Sequence, residues 1–233
     1  MTTKVLITGG NKGIGLATTK EFLLRGYRVY LVARDFSKSG LEKSRNIEKI
    51  EFDLADIEGI PRLAKDIGEI DILINKAGMM HGISYQEYTE EKKDYILRVN
   101  LEAPVALILA FTPGMIRKGK GRIVNNASIA GEIGHPDIWY GITKAGVINF
   151  TKSFAKLLGP KGIVINCVAP SAVETAMLSK IPKERKEGMK RAAFTGRYAY
   201  AEEIARTIFW LATESPEYIN GTCIDINNGI FLR

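Results

Sequence analysis

The hydrophobic residues of this chain form short runs separated by polar segments and by helical patterns. Seven of the runs are strand candidates, and most of these are rich in valine, isoleucine and leucine without clean alternation of polar and apolar residues. Such runs are typical of strands that are buried on both faces of a parallel sheet. The predicted strands cover residues 4–8, 28–33, 47–52, 71–74, 122–126, 163–168 and 222–226.

Between these strands, apolar residues recur at three- and four-residue spacing, which predicts helices. The predicted helices cover residues 14–25, 58–67, 89–97, 101–118, 140–158 and 201–213. Strands that alternate with helices indicate a parallel sheet covered on both faces. We therefore expect a doubly wound α/β fold of the Rossmann type, with a mainly parallel seven-stranded sheet. No linker, repeat or low-complexity tract interrupts residues 1–233, which predicts a single domain.

Residues 171–199 depart from this alternation. The segment is polar and strongly charged, and it is long for a connection in a compact domain, where the median is about 4–6 residues. It could be a solvated helix with an exposed face. Because ligands of open α/β sheets bind beyond the carboxyl ends of the strands, we favour a mobile lid beside the ligand crevice.

Composition narrows the class of protein only moderately. Hydrophobic residues make up 45% and charged residues 25% of the 233 residues, which excludes disorder, collagen and a coiled coil. The longest uncharged apolar run, 103–111, is too short for the roughly 20 residues that span a bilayer. The N-terminus lacks a secretion signal, so we expect a cytoplasmic protein without membrane contact. The net charge of +7 is spread along the chain, so it gives little support to nucleic-acid binding.

The cysteines and histidines do not form a recognisable metal motif. Cys167 and Cys223 lie in predicted strands, where two buried, reduced thiols are favoured over a disulfide. His81 and His135 are interpreted as loop residues without a cysteine or histidine at ligand spacing. No metal site is therefore predicted.

A glycine-rich turn links the first predicted strand to the first predicted helix. In Thr8-Gly-Gly-Asn-Lys-Gly-Ile-Gly15, glycines at 9, 13 and 15 would allow a tight turn, close approach to a pyrophosphate and close helix packing. The helix N-terminus would then direct free N–H groups at the phosphates. A glycine-rich turn that binds nothing is the alternative, and the flanking strand and helix argue against it. The absence of a Gly-Lys-Ser/Thr ending disfavours a nucleoside triphosphatase.

With its G-x-x-x-G-x-G spacing, this turn resembles the fingerprint of the short-chain dehydrogenase/reductase family of NAD(P)-dependent oxidoreductases, particularly its β-ketoacyl-carrier-protein reductases. The resemblance extends along nearly the whole chain. Its further motifs are Phe52-Asp53-Leu54, Asn75-Lys76-Ala77-Gly78, Asn100, Ser128, Tyr140-Gly-Ile-Thr-Lys144 and Val168-Ala-Pro170 with Thr175. Lys76 and Ser171 depart from the asparagine and glycine of the family pattern. The interval from Ser128 to Tyr140 is one residue shorter than usual, which we assign to the His135-Pro-Asp loop.

The resemblance implies a cofactor site and a catalytic site. In the family, Tyr140 would be the general acid in reduction and the base in oxidation, Ser128 would orient the carbonyl, and Lys144 would bind the nicotinamide ribose. Asn100 would support a water link to Lys144, or it could simply satisfy backbone groups. The residues assigned to the cofactor are Gly9, Asn11, Lys12, Gly13, Ile14, Gly15, Arg34, Asp53, Leu54, Asn75, Ala77, Gly78, Tyr140, Lys144, Pro170, Val173 and Thr175.

The chemistry of carbonyl reduction explains the catalytic residue types. The developing alkoxide needs a positioned proton donor, but the reference pKa of tyrosine, near 10, is poorly matched to neutral pH. Lys144 lies one helical turn from Tyr140, where its charge would favour the phenolate. A second Tyr-x-x-x-Lys pair, Tyr88 and Lys92, lacks an upstream serine. We interpret it as an exposed pair whose lysine contacts nearby acids.

Cofactor preference depends on the end of the second predicted strand. Asp35 lies about 20 positions after the glycines, where an acid can bind the ribose 2′-hydroxyl of NAD. Arg34 precedes it and could clamp a 2′-phosphate, and Lys12 adds a second positive charge. A solvated Arg34–Asp35 pair is the alternative. We predict NADP(H) in preference to NAD(H).

The substrate is less constrained than the reaction. Lys118, Lys120 and Lys161 are predicted to lie beside the pocket mouth, where they could meet an acidic carrier protein, which favours a 3-oxoacyl-carrier-protein reductase. A sugar, polyol or small-ketone dehydrogenase is the nearest alternative. A non-catalytic dinucleotide sensor or nucleic-acid-binding protein is the alternative from another class. The family resemblance also implies a homodimer or homotetramer.

Overall fold

Seven strands form one parallel sheet in the computed structural model, which describes residues 2–37, 39–41, 44–176, 178 and 181–232. The strand order is β3-β2-β1-β4-β5-β6-β7. The strands are β1 (Lys4–Thr8), β2 (Arg28–Ala33), β3 (Ile47–Glu51), β4 (Ile72–Asn75), β5 (Gly121–Asn126), β6 (Ile163–Pro170) and β7 (Cys223–Ile226). All seven predicted strands and the doubly wound fold class are confirmed. Because every ladder is parallel, the carboxyl ends of the strands share one edge.

Seven α-helices accompany this sheet in the described part of the chain. They are α1 (Gly13–Leu24), α2 (Ile60–Ile67), α3 (Glu90–Leu97), α4 (Ala103–Lys118), α5 (Ile138–Leu158), α6 (Lys183–Ala192) and α7 (Ala201–Thr213). Six of them match the predicted helices, and α6 lies within residues 171–199, where a solvated helix was the alternative to a lid. Helix α5 begins two residues earlier than predicted because the Asp137 carboxylate accepts a hydrogen bond from the Tyr140 N–H at 3.1 Å.

The helices bury the two faces of the sheet in two hydrophobic clusters. Helices α1 and α7 cover one face, where Phe22 and Phe209 pack with Val5 and other strand residues. Helices α2, α4 and α5 cover the other face. Val5 contributes to the first cluster, whereas its neighbour Leu6 contributes to the second. Both faces of the central strands are therefore apolar, which explains the continuous apolar runs in the sequence.

Helices α3 and α4 are joined by a single π-helical segment, Arg98–Glu102, so that Glu90–Lys118 is one continuous helix. By length and composition alone this helix of 29 residues could cross a bilayer. The prediction from uncharged runs overlooked it because the joint between the two helices was not foreseen. Half of its most apolar window is buried inside the protein, and this burial accounts for its composition.

The two cysteines face each other across β6 and β7. Cys167 and Cys223 are paired in register, and they form no disulfide. Cys167 is buried as predicted, but Cys223 is partly exposed, because β7 is the edge strand of the sheet. Glu132, Cys223 and Asp225 bring potential ligand atoms within 4.8 Å of one another. The absence of a metal site stays a prediction.

Candidate active site

The glycine-rich turn leaves β1 at the carboxyl edge and enters α1 with a geometry that requires glycine. Gly9 has a φ of +65°, and an added Cβ would lie 2.8 Å from the Cα of Ala77. Gly13 has a φ of +51°, and its Cβ would lie 3.0 Å from the Thr175 side chain. At Gly15 an added Cβ would lie 2.1 Å from the Gly9 carbonyl oxygen. The turn thus keeps its backbone open to a ligand and close to its neighbours.

The N-terminus of α1 faces this turn without a side-chain cap and without an acidic residue in its first turn. Its first N–H groups and its dipole therefore favour an anion. Two lysines add positive charge: Lys12 is exposed at the helix start, and Lys76 is half-buried after β4. Burial and the charge of Lys12 lower the pKa of Lys76 to about 8. These groups fit the phosphates of a dinucleotide.

Arg34 lies at the end of β2, on the side where the adenosine half of a dinucleotide would bind. Its guanidinium donates a hydrogen bond to the Tyr95 hydroxyl at 2.6 Å, and this hydroxyl donates in turn to Asp53 at 3.2 Å. The Asp35 carboxylate accepts hydrogen bonds from the Ser37 N–H and hydroxyl. The Asp35 carboxylate is therefore hydrogen-bonded within its own turn, to Ser37. Tyr95, which lies 61 residues from Arg34, had no signal in the sequence.

Several other predicted cofactor residues take structural positions at the same edge. The Asn75 amide, which is buried, donates to the Asn125 side chain at 2.9 Å and thereby links β4 to β5. Leu54 and Val173 are buried in the two hydrophobic clusters. The Asn11 side chain donates to the Asp35 carbonyl at 2.7 Å and fixes the turn. These side chains therefore stabilise the strand ends and the turn that form the crevice.

Three of the four predicted catalytic residues, Ser128, Tyr140 and Lys144, meet where β5 ends. Ser128 caps a short 3₁₀ turn, Ile129–Gly131, and its hydroxyl accepts a hydrogen bond from the Ala130 N–H at 3.1 Å. Tyr140 lies in the first turn of α5, with the Lys144 Nζ 5.7 Å from its ring centroid. The buried Lys144 ammonium donates to the Asn126 carbonyl oxygen at 2.7 Å. One strand end and one helix thus position all three groups.

Burial dominates the electrostatics of the tyrosine and the lysine. Burial raises the pKa of Tyr140; a hydrogen bond with the Ser128 hydroxyl opposes this rise, and Asp137 adds to it. Burial, followed by the charge of Lys76, lowers the pKa of Lys144 to about 7. The expected phenolate-favouring effect of Lys144 stays a prediction. The Tyr140 phenol is protonated at neutral pH, as a proton donor requires.

Asn100 lies in the π-helical segment and is buried. Its side chain accepts from the Met79 N–H and donates to the Met79 carbonyl, both at 2.8 Å, and it also donates to the Thr143 hydroxyl at 3.1 Å. A Cβ at Gly78 would lie 3.3 Å from the Lys144 Nζ and 3.5 Å from the Asn100 Oδ1. The backbone-satisfying role of Asn100 is thus observed, and the water link to Lys144 stays a prediction.

Asp137 is a central residue of the site that the sequence did not reveal. Its carboxylate is 2% exposed and accepts hydrogen bonds from the Tyr88 hydroxyl at 2.5 Å and from the Gly82 N–H at 2.9 Å, besides the Tyr140 N–H. Tyr88 is therefore a structural partner of the site and not an isolated exposed residue. The expected ion pair of Lys92 is wrong, because the Lys92 Nζ donates to the Glu87 carbonyl.

Beside Asp137 lies a cavity of about 440 Å³. Its walls come from the loop after β4, from the loop before α5, and from the residues around the start of α6. The lining residues are Met80, Gly82, Ile83, Ser84, Tyr85, Pro136, Asp137, Ile181, Pro182 and Arg185. Pro136 and Asp137 belong to the His135-Pro-Asp loop, to which we assign the expected shortening. Within residues 171–199, α6 itself has no buried residue, and the lid stays a prediction.

The basic turns are not beside the pocket mouth. Lys120 and Lys161 lie just before the amino ends of β5 and β6, whereas Ser128 follows the carboxyl end of β5. A strand of six residues separates these edges by about 20 Å. Lys118 is moreover ion-paired with Asp71 at 2.9 Å. The predicted location of these lysines is wrong for a single chain. Lys118 and Lys120 are close to Ser128 in sequence, but the whole length of β5 separates them from it in space.

Comparisons with known proteins agree with this geometry. A sequence model described as short chain dehydrogenase matches residues 3–186. The 3-oxoacyl-[acyl-carrier-protein] reductase FabG of Staphylococcus aureus (strain Mu50) is 31% identical over 244 residues, covering 100% of this chain and 99% of the relative. FabG of Thermotoga maritima is 33% identical over 240 residues, covering 97% of each.

Solved structures share the whole fold. ElxO with NADP bound has a TM-score of 0.86 at 29% identity, and a tyrosine-to-phenylalanine variant of ElxO with NADPH bound has a TM-score of 0.89; each covers 99% of both chains. A 3-oxoacyl-[acyl-carrier protein] reductase from Brucella melitensis has a TM-score of 0.87 at 26% identity, covering 99% of this chain and 92% of the other. With its glycine turn and its serine, tyrosine and lysine in place, the chain belongs to the short-chain dehydrogenase family.

Proposed function

We propose that this protein is an NADP(H)-dependent oxidoreductase that interconverts a ketone and a secondary alcohol. The observation that carries the proposal is the convergence of Ser128, Tyr140 and Lys144 at the carboxyl end of β5. The glycine turn lies at the same edge of the sheet, after β1. A crevice at this edge, where the strand order reverses, is where dinucleotides bind in doubly wound folds.

The residues present fit NADP(H). Gly9 and Gly13 leave room for a pyrophosphate, and the uncapped start of α1 favours its charge. The Arg34 guanidinium is held by the neutral Tyr95 hydroxyl, which leaves its charge free for a 2′-phosphate. The NADP-bound relatives of the same fold support this choice.

When bound, NADPH would supply the hydride to the carbonyl carbon. Tyr140, which burial keeps protonated, donates its proton to the carbonyl oxygen. The Ser128 hydroxyl donates a hydrogen bond to the same oxygen as negative charge develops on it. Lys144 is placed by the Asn126 carbonyl so that its Nζ faces the Tyr140 ring. In the reverse direction, the deprotonated Tyr140 phenolate accepts the proton of the alcohol.

A 3-oxoacyl group carried as a thioester is the leading substrate class, because FabG relatives are similar over their whole length. A small ketone, sugar or polyol is the second candidate, and it is favoured by the position of Lys120 and Lys161 on the edge opposite Tyr140. The complete catalytic set argues against a non-catalytic sensor or a nucleic-acid-binding protein.

The test follows absorbance of the reduced nicotinamide with NADPH and then NADH against a panel of carbonyls that includes a 3-oxoacyl thioester. We expect Tyr140→Phe to lower turnover about 10²–10⁴-fold while NADPH binding persists. Tyr218→Phe, which removes the same hydroxyl from a fully exposed side chain, should change nothing. Unchanged turnover in Tyr140→Phe would refute the mechanism, and failure to bind either nucleotide would refute the cofactor assignment.

A further inference from the structure

The cavity beside the catalytic tyrosine combines apolar walls with one positive charge. Met80, Ile83 and Pro136 form part of its lining, together with Ile181 and Pro182 from the chain just before α6. Among the described residues that line it, Arg185 alone is cationic. A mainly apolar cavity with a few polar groups is the usual form of a site for a small molecule.

The acid that lines the same cavity does not neutralise Arg185. Three donors, Tyr88, Gly82 and Tyr140, already engage the buried Asp137 carboxylate. In the described part of the chain, no carboxylate lies within ion-pair distance of Arg185. Asp137 acts on it only at longer range, where its charge raises the pKa of Arg185 and partly offsets the larger lowering by burial.

The side-chain partner of Arg185 is a neutral ring. Its Nη2 lies 2.8 Å from the Nε2 of His135, and the Nδ1 of His135 lies 3.1 Å from the Asp137 carbonyl oxygen. Because a guanidinium only donates, the Nε2 of His135 accepts and the ring is neutral; burial lowers the pKa of His135, and the charge of Arg185 lowers it further. A guanidinium has five N–H donors, and this contact uses one of them. The remaining donors can serve a ligand in the cavity.

The same histidine connects Arg185 to the catalytic centre. The His135 and Tyr140 rings have their centroids 5.2 Å apart, so the same imidazole contacts both the guanidinium and the catalytic tyrosine. Asp137, which accepts a hydrogen bond from the Tyr140 N–H, lines the cavity together with Arg185, so a molecule with its carbonyl at Tyr140 would extend into the cavity toward Arg185. The planar guanidinium matches the two oxygens of a carboxylate or phosphate in a bidentate contact.

We propose that Arg185 binds an anionic group of the substrate, so that the cavity selects ketones whose molecule also carries a carboxylate or phosphate. This inference rests on the proposed reductase function. Two sources could supply the anionic oxygens: the carboxylate of a compact keto acid, or the phosphate of the prosthetic arm that carries a thioester. Both would use the same guanidinium donors.

The experiment compares Arg185→Met with wild type on two pairs of 3-oxo substrates. The first pair is acetoacetate and its neutral ethyl ester. The second is the acetoacetyl thioester of phosphopantetheine and that of N-acetylcysteamine, which lacks the phosphate. We expect Arg185→Met to raise KM about 10–100-fold for an anionic member, with kcat little changed and the neutral member unaffected. Lys190→Met removes the same charge from an exposed position of the same helix and serves as the control.

The pattern identifies the source of the anion. A KM effect confined to acetoacetate indicates the keto acid, and one confined to the phosphopantetheine thioester indicates the prosthetic arm. Arg185→Lys should lie between wild type and Arg185→Met, because it keeps the charge but loses the bidentate contact. Equal effects of Arg185→Met and Lys190→Met on all four substrates would overturn the inference.

Failure of the reductase proposal would be visible separately. If wild type reduces none of the substrates, acetoacetate and phosphopantetheine binding to the NADP⁺-saturated protein is measured by calorimetry. Binding that weakens at least tenfold in Arg185→Met, but not in Lys190→Met, supports the anion site without turnover. The inference is overturned if acetoacetate and phosphopantetheine each bind equally to Arg185→Met and Lys190→Met, or if neither binds to wild type.

Discussion

Replacing Gly9 by alanine tests whether the glycine turn is constrained by its close approach to β4. The substitution places a side chain at a φ of +65°, which costs an L-residue about 1–2 kcal/mol. The new Cβ would also lie 2.8 Å from the Ala77 Cα, and forced overlap in a packed region costs about 1–3 kcal/mol more. We expect Gly9→Ala to lower the free energy of unfolding by about 2–5 kcal/mol.

Gly26 provides the matched control, because its φ is +79° and an added Cβ would meet nothing within 4 Å. Gly26→Ala should therefore show only the conformational cost of about 1–2 kcal/mol. Urea unfolding measures both values, and nucleotide fluorescence measures NADPH affinity, which should fall at least tenfold in Gly9→Ala alone. Equal losses of stability in the two variants, with NADPH affinity intact, would refute the close-approach argument.

Three further substitutions test the core and the charges of the crevice. Phe22→Ala should lower the free energy of unfolding in urea by about 3–5 kcal/mol, because this fully buried ring packs on two other aromatic rings at centroid distances of 5.1 and 4.9 Å. Leu24→Ala, at a side chain that is 82% exposed, is the control and should lower it by less than about 0.5 kcal/mol. Lys76→Asn removes a like charge and so raises the pKa of Lys144 above about 7. Lys144 loses its proton as pH rises through its pKa, so the part of the NADPH affinity that depends on protonated Lys144 should persist to higher pH in this variant. A dependence of NADPH affinity on pH that is the same in Lys76→Asn and wild type would contradict the interaction between the two lysines. Arg34→Ala should weaken NADPH binding about 10–100-fold and leave NADH binding unchanged, whereas equal weakening of both would remove Arg34 as the selector of the 2′-phosphate.

The parts of the molecule that were predictable from sequence depend on local relations. Strands buried on both faces leave continuous apolar runs, and most of the seven strands were located by such runs. Tyr140 and Lys144 lie one helical turn apart, so the helical pattern alone placed them together. The glycine turn was equally local, because its positive φ values are a property of the residues themselves.

The residues that sequence reasoning missed are held by contacts between distant segments. Tyr88 and Asp137 are 49 positions apart, and His135 and Arg185 are 50 apart, so neither pair leaves a periodic or motif signal. Lys120 shows the opposite error: it is close to Ser128 in sequence but lies at the other edge of the sheet. Short separation along an extended strand is a large separation in space.

Because the π-helical segment Arg98–Glu102 joins α3 to α4, the number of residues in it matters as much for the site as the side chains they carry. One extra residue turns a helix by about 100°, so it sets the angular phase of α3 relative to α4. Deleting one residue there would keep a continuous helix and yet rotate Tyr95 away from Arg34, while Leu107 stays in the core. An insertion or deletion at this point would therefore rotate all side chains of α3 together, and with them the groups that α3 presents to the adenosine side of the crevice. No single substitution could reproduce this change.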